Sequence, residues 1–219
     1  MLTARAAVLV LLVCTCAVLS CDRREPPPRE PQREPATPTA APTPQAPDSF
    51  LVGFSTNRGT LTLVVHRSWA PRGADRFYAL VKSGFYDGAR FFRVVRGFVV
   101  QFGLPADPQV GRTWSSQALA DDPVRQPNRR GTLAFASAGP NTRTTQVFIN
   151  QADNLRLDGL GFAPIGRVTE RLGIVDSLYA QYGERPSQDS IERRGEAYLA
   201  RAYPNLDRIL SATIVREWR

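Results

Sequence analysis

Within FFRVVRGFVVQFG, Phe91 to Gly103, an arginine and a glutamine stand among phenylalanines and valines. The apolar content is that of a strand pair broken at Gly97, yet Arg93 and Gln101 are poorly suited to burial. A polar group taken out of water without a partner costs roughly 1–3 kcal/mol, and a charge costs more. Such residues either face solvent or are kept for a task. Arg93, Val99 and Gln101 share odd numbering, so they project to one face if the bend at Gly97 preserves the strand alternation.

Other reactive groups are scarce. The single histidine, His66, ends an apolar strand beside Arg67, where an exposed strand terminus is the simplest assignment. No Ser/His/Asp or Cys/His set can be assembled around it, and a histidine-based metal site is excluded. Asp121, Asp122 and Asp153 stand in turn contexts, where carboxylates commonly cap the backbone. GPNTRTT, from Gly139, is too short for a phosphate-cradling loop and lacks its lysine.

The elements that must position Arg93 and Gln101 follow from periodicity. FLVGFSTNRGTLTLVVHR reads as a hairpin turning at Asn57-Arg58-Gly59. Pro71 opens a helix with Ala74, Phe77, Leu80 and Val81 at helical spacing, ended by Gly84. After the quoted strands comes a long irregular stretch, Leu104 to Arg130, with four prolines. GTLAFAS, QVFIN and APIGRVT are strands separated by turn-rich loops. Arg171 to Tyr182 and residues 190–202 are helical candidates, and Arg208 to Arg216 is a last strand. Six or more strands with few helices and no regular βαβ alternation favour an antiparallel barrel with helices packed at its ends.

The folded domain is placed at residues 49–219. Residues 1–20 have an early arginine, an apolar run and small residues, the layout of a secretory signal peptide, with a membrane anchor as the alternative. Ser20-Cys21, at the end of the apolar stretch, resembles the lipobox of bacterial lipoproteins, which makes Cys21 a lipidation site. Cys14 and Cys16 lie in the segment to be removed and no cysteine follows Cys21, so no disulfide framework or zinc site is expected in the mature chain. Residues 21–48, rich in Pro, Ala and Thr, read as a tether. In polyproline II geometry about 25 such residues reach up to roughly 75 Å. A ligand for proline-binding domains is the other reading of that composition.

Acids and bases cancel over residues 1–50, five of each, so the net charge of +8 belongs to the remainder. Its arginines are scattered rather than clustered. Attraction to an anionic membrane surface is the expected consequence, and nucleic acid is not an expected partner.

In order and spacing, FFRVVRGFVVQFG, LAFASAGPNTRTTQVFIN and LDGLGFAPIGRV resemble the signature blocks of the cyclophilin family of peptidyl-prolyl isomerases. The resemblance runs from about Phe50 to the C-terminus. It implies a mainly β fold, a closed antiparallel eight-stranded barrel capped by helices, acting on Xaa-Pro bonds without cofactor or metal. Arg93 occupies the catalytic arginine position, and Gln101 matches the glutamine that holds the substrate and orients this arginine. Phe98, Val99, Phe148 and Leu157 match the lining of the proline pocket, although each alone would read as ordinary core. Ala136, Ser137 and Gln146 match positions that receive the substrate backbone. Ser137 replaces a common asparagine, which a main-chain contact should tolerate.

The chain departs from the family pattern elsewhere. Arg156 stands where many eukaryotic members have a tryptophan that helps bind cyclosporin, so weak sensitivity is expected. Gly161-Phe162 replaces a frequent histidine at the pocket rim, and Val147 replaces a common phenylalanine. Tyr182 to Asp207 resembles an extension of bacterial members and is assigned only packing. The resulting expectation is a monomeric, membrane-tethered isomerase at the cell envelope, facing the periplasm or cell exterior, whose partners are proline-containing unfolded or extended polypeptides. A non-catalytic proline-peptide binding module or holdase, and a structural envelope lipoprotein, are the alternatives.

Overall fold

The computed structural model describes residues 44–219. The segments expected to be signal peptide and tether, including Cys21 but not the last residues before Ser49, lie outside the described residues. Eight strands form one antiparallel sheet: β1 (Ser49–Thr56), β2 (Gly59–His66), β3 (Arg93–Val95), β4 (Val99–Phe102), β5 (Thr132–Phe135), β6 (Val147–Asn150), β7 (Pro164–Glu170) and β8 (Ile209–Trp218). Their spatial order is β3-β4-β6-β5-β7-β2-β1-β8.

Alternation decides which face is filled. Phe50, Val52 and Phe54 of β1 are buried with Leu61, Leu63 and Val65 of β2, as the period-two pattern requires. Helix α1 (Pro71–Lys82) lays Ala74, Phe77, Leu80 and Val81 against this face. Phe54, Phe77, Tyr86 and Phe102 meet there, with ring centroids 5.5–6.4 Å apart in the contacting pairs. Each such side chain contributes roughly 1.5–3 kcal/mol by leaving water. Gly84 takes φ +69 and ends the helix as expected. Asp122 accepts from the N–H groups of Arg72 and Gly73, capping the first turn of α1.

Several expectations are corrected. The barrel is not closed by regular pairing, because β3 and β8 end the ladder. A short irregular seam joins them: Gly88 and Phe91 donate to Ile209 and Asp207, and Ile209 donates to Ala89. The outer edge of β3 is taken instead by a turn near the C-terminus, where Val94 N–H donates to the Gly183 carbonyl at 3.3 Å. The folded body also starts before Ser49. Ala46 is buried and its N–H donates to Asp75 Oδ1 at 2.9 Å, a small residue packed within proline-rich sequence that reads as tether.

The stretch from Leu104 to Arg130 contains a helix, α2 (Pro108–Ser115), signalled by Asp107-Pro108: the Asp107 carboxylate caps Gln109 N–H at 2.8 Å, and proline suits the first turn. Of Arg171 to Tyr182 only α3 (Gly173–Ser177) is helical. The last helix, α4 (Gln188–Ala202), is bent at Gly195, whose φ of +53 and close approach to the Ala106 carbonyl exclude a β-carbon. His66 is half-buried rather than exposed, its Nδ1 2.9 Å from Ser49 Oγ and its ring 4.8 Å from that of Trp69.

Candidate active site

Arg93 and Gln101 lie directly opposite each other in the β3–β4 ladder, Val99 pairs with Asn150 of β6, and Gln101 pairs with Phe148. The turn at Gly97 (φ +70) preserves the register, so three expected residues are brought to one face by strand pairing alone. Gly103 (φ +106) lets the end of β4 pass close to Gln146. A β-carbon there would fall 2.5 Å from the Thr145 carbonyl oxygen.

These strands wall a pocket of about 330 Å³. All nine residues expected at the site line it: Arg93, Phe98, Val99, Gln101, Ala136, Ser137, Gln146, Phe148 and Leu157. Val99, Phe148, Leu157 and Ala134 form a small apolar cluster of their own, apart from the main core, with Phe98 and Phe162 packed on it. The pocket therefore has an apolar floor and a polar side.

The polar side is a connected chain. Arg93 Nη1 donates to Gln101 Oε1 at 3.1 Å, and Gln101 Nε2 donates to Gln146 Oε1 at 2.7 Å. The guanidinium carbon sits 5.6 Å from the centre of the Phe98 ring. No backbone partner is found for the main-chain N–H or carbonyl of Ser137 among the described residues. No group of three or more His, Cys, Asp or Glu among the described residues is arranged to hold a metal.

Sequence reasoning missed several contributors. Phe162, at the departure Gly161-Phe162, closes the apolar end, its ring edge-on to Phe148 at 5.7 Å. Gly161 supplies the φ of +84 that turns the chain there. Behind the wall runs a buried amide network. Asn154 Nδ2 donates to the Phe98 carbonyl and Asn150 Oδ1, Asn150 Nδ2 to Asn128 Oδ1, and Asn128 Nδ2 to the Phe162 carbonyl. It ties both aromatic walls to β6. The turn residues Asn128 and Asn154 carry no local signal of this.

Glu184 and Gln188, in the segment assigned only packing, also reach the site. Gln188 lines the pocket, and Arg93 Nε donates to Glu184 Oε1 at 2.6 Å while Nη2 donates to the same oxygen.

Residues 51–195 match the family described as cyclophilin type peptidyl-prolyl cis-trans isomerase/CLD. The chain belongs to this family. The cyclophilin is 35% identical over 141 residues to a peptidyl-prolyl cis-trans isomerase of Arabidopsis thaliana, an alignment covering 62% of this chain and 88% of the relative. It is 36% identical over 137 residues to one of Streptomyces antibioticus, covering 58% and 81%. A cyclophilin-type isomerase of Cryptosporidium parvum, solved in the presence of the dipeptide Ala-Pro, superposes with a TM-score of 0.56 at 25% identity over 76% of this chain and 99% of that one. The cyclophilin is a peptidyl-prolyl cis-trans isomerase by this membership, and its sheet is the family's eight-stranded fold.

Proposed function

We propose that the pocket binds the proline of an Xaa-Pro bond, with Arg93 as the catalytic residue. The single observation that carries this is that the Arg93 guanidinium lines the same pocket as the apolar cluster of Val99, Phe148 and Leu157. Partial double-bond character opposes rotation with a barrier of ~18–20 kcal/mol, and an Xaa-Pro bond isomerises unaided over roughly tens to hundreds of seconds. No bond has to be made or broken. The ring rests on Phe98, Val99, Phe148, Leu157 and Phe162. The preceding residue runs along Ala136 and Ser137, and Gln101 and Gln146 steady the guanidinium and the peptide. As the bond twists, the prolyl nitrogen recovers its lone pair, and an Arg93 N–H donates to it. That contact exists only in the twisted state, so it lowers the barrier rather than tightening ground-state binding.

The test is a proline-limited peptide assay on the full chain and its Arg93→Ala variant. A loss of at least tenfold in kcat/KM with an unchanged fold is expected. Equal rates would leave a peptide-binding module or holdase.

The clients are exported or envelope polypeptides, and the protein is a monomer held to a membrane by lipid on Cys21. Ser20-Cys21 after an apolar run, followed by a proline-rich stretch, supports this reading. Incorporation of radioactive palmitate that is lost in Cys21→Ser tests it. Retention of label in the variant would refute it.

A further inference from the structure

We propose that Glu184 is a positioning residue for Arg93, and that the C-terminal segment from Leu178 to Asp207 is present in the fold to deliver it. This rests on Arg93 being the catalytic group.

The guanidinium is held from two sides. Of its five N–H donors, Nε and Nη2 each give one to Glu184 and Nη1 gives one to Gln101. One donor on Nη1 and one on Nη2 remain, both at the tip of the side chain rather than along its stem. The carboxylate therefore occupies the edge nearest the backbone and leaves the end free, which is how an orienting contact differs from a latch that would consume the working donors. Gln101 alone fixes one point of a long side chain. Two anchors on different edges fix its plane.

The backbone on either side of Glu184 is anchored. Gly183, its neighbour, takes φ +56 and accepts from Val94 N–H, one residue beyond Arg93. On the other side Arg185 donates to the Tyr182 and Gln181 carbonyls, and its own carbonyl accepts from Tyr203 Oη. Tyr182 packs on Tyr179 and Tyr203, at 4.9 and 5.0 Å between ring centres. Beneath these rings a separate core joins Ile191, Leu199 and Leu206 to Phe92 and Leu104, which flank β3 and β4 in sequence. The segment is thus bolted to the two strands that carry Arg93 and Gln101, and its turn presents a carboxylate where the guanidinium lies. The ion pair is open to water, with side-chain exposures of 27% and 62%. Its contribution is accordingly modest.

Glu184→Ala is expected to lower kcat about threefold to fivefold, the upper range for an exposed ion pair, with KM within about twofold of the parent. Glu184→Gln, which keeps an acceptor oxygen, is expected to recover at least half of that loss. The ¹H–¹⁵N signal of the Arg93 Nε–H, assigned by its disappearance in Arg93→Lys, should be observed in the parent and exchange-broadened in Glu184→Ala. An unchanged or increased kcat in Glu184→Ala, or a change confined to KM, overturns the proposal. An Arg93→Ala variant as active as the parent overturns the catalytic reading beneath it, whereas an inactive Arg93→Ala with neutral Glu184 variants overturns the positioning role alone.

Discussion

Gln101 stands directly across the β3–β4 ladder from Arg93, and its amide oxygen accepts from the guanidinium at 3.1 Å. Directly opposed residues of an antiparallel pair share a face at contact distance. Strand register therefore sets this contact, without help from a loop. The amide's other end donates to Gln146 at 2.7 Å, so Gln101 is oriented in turn and cannot flip without losing both bonds.

Replacing Gln101 with leucine fills the same space and removes both hydrogen bonds. A bond to a charged group contributes about 1.5–3 kcal/mol, so kcat/KM in the peptide assay should fall about tenfold or more. The thermal midpoint should stay within a few degrees of the parent.

Asn150 is fully buried and joins Asn128, Thr132 and Asn154. Asn150→Ala leaves several buried partners without a bond, each at about 1–3 kcal/mol if it stays dry. Denaturant unfolding should show a loss of about 2–4 kcal/mol. KM should rise as well, because Phe98 and Phe162 lose their common anchor.

His66 is held below its ordinary pKa of 6.5, first by burial and then by the charge of Arg167. Its folded value being depressed, the unfolded chain takes up a proton first as pH falls. Stability is then lost from about the ordinary value down through the folded one, and levels off below it. Chemical denaturation at several pH values should show this decline in the parent and a flatter profile in His66→Asn.

Arg156 is exposed and its guanidinium lies 4.9 Å from the centre of the Phe98 ring. A cation where many eukaryotic members have a tryptophan offers no flat apolar wall to a cyclic, apolar inhibitor. Cyclosporin should inhibit the parent weakly, and Arg156→Trp should lower the inhibitory concentration at least about fivefold in the peptide assay.

Much of the site was legible because it is built from local rules. Arg93, Val99 and Gln101 follow from strand parity about a glycine turn, and α1 and the first hairpin follow from periodicity and punctuation. Asp107-Pro108 was an available signal for α2, masked by the prolines around it. Three sequence features decided nothing by themselves: the amides of Asn128, Asn150 and Asn154; Phe162, which read as a departure; and Glu184, which lies in a segment assigned only packing.

The sequence alone determined the strands, helix α1 and the residues around Arg93, since these depend on backbone period and side-chain chemistry. Tertiary structure alone decided that the ladder ends at β3 and that Glu184, 91 positions away, meets Arg93. The reason is physical: hydrophobic burial of Phe92 and Leu104 under α4 brings that turn to the edge of β3, and no short-range pattern encodes which distant apolar face will cover which.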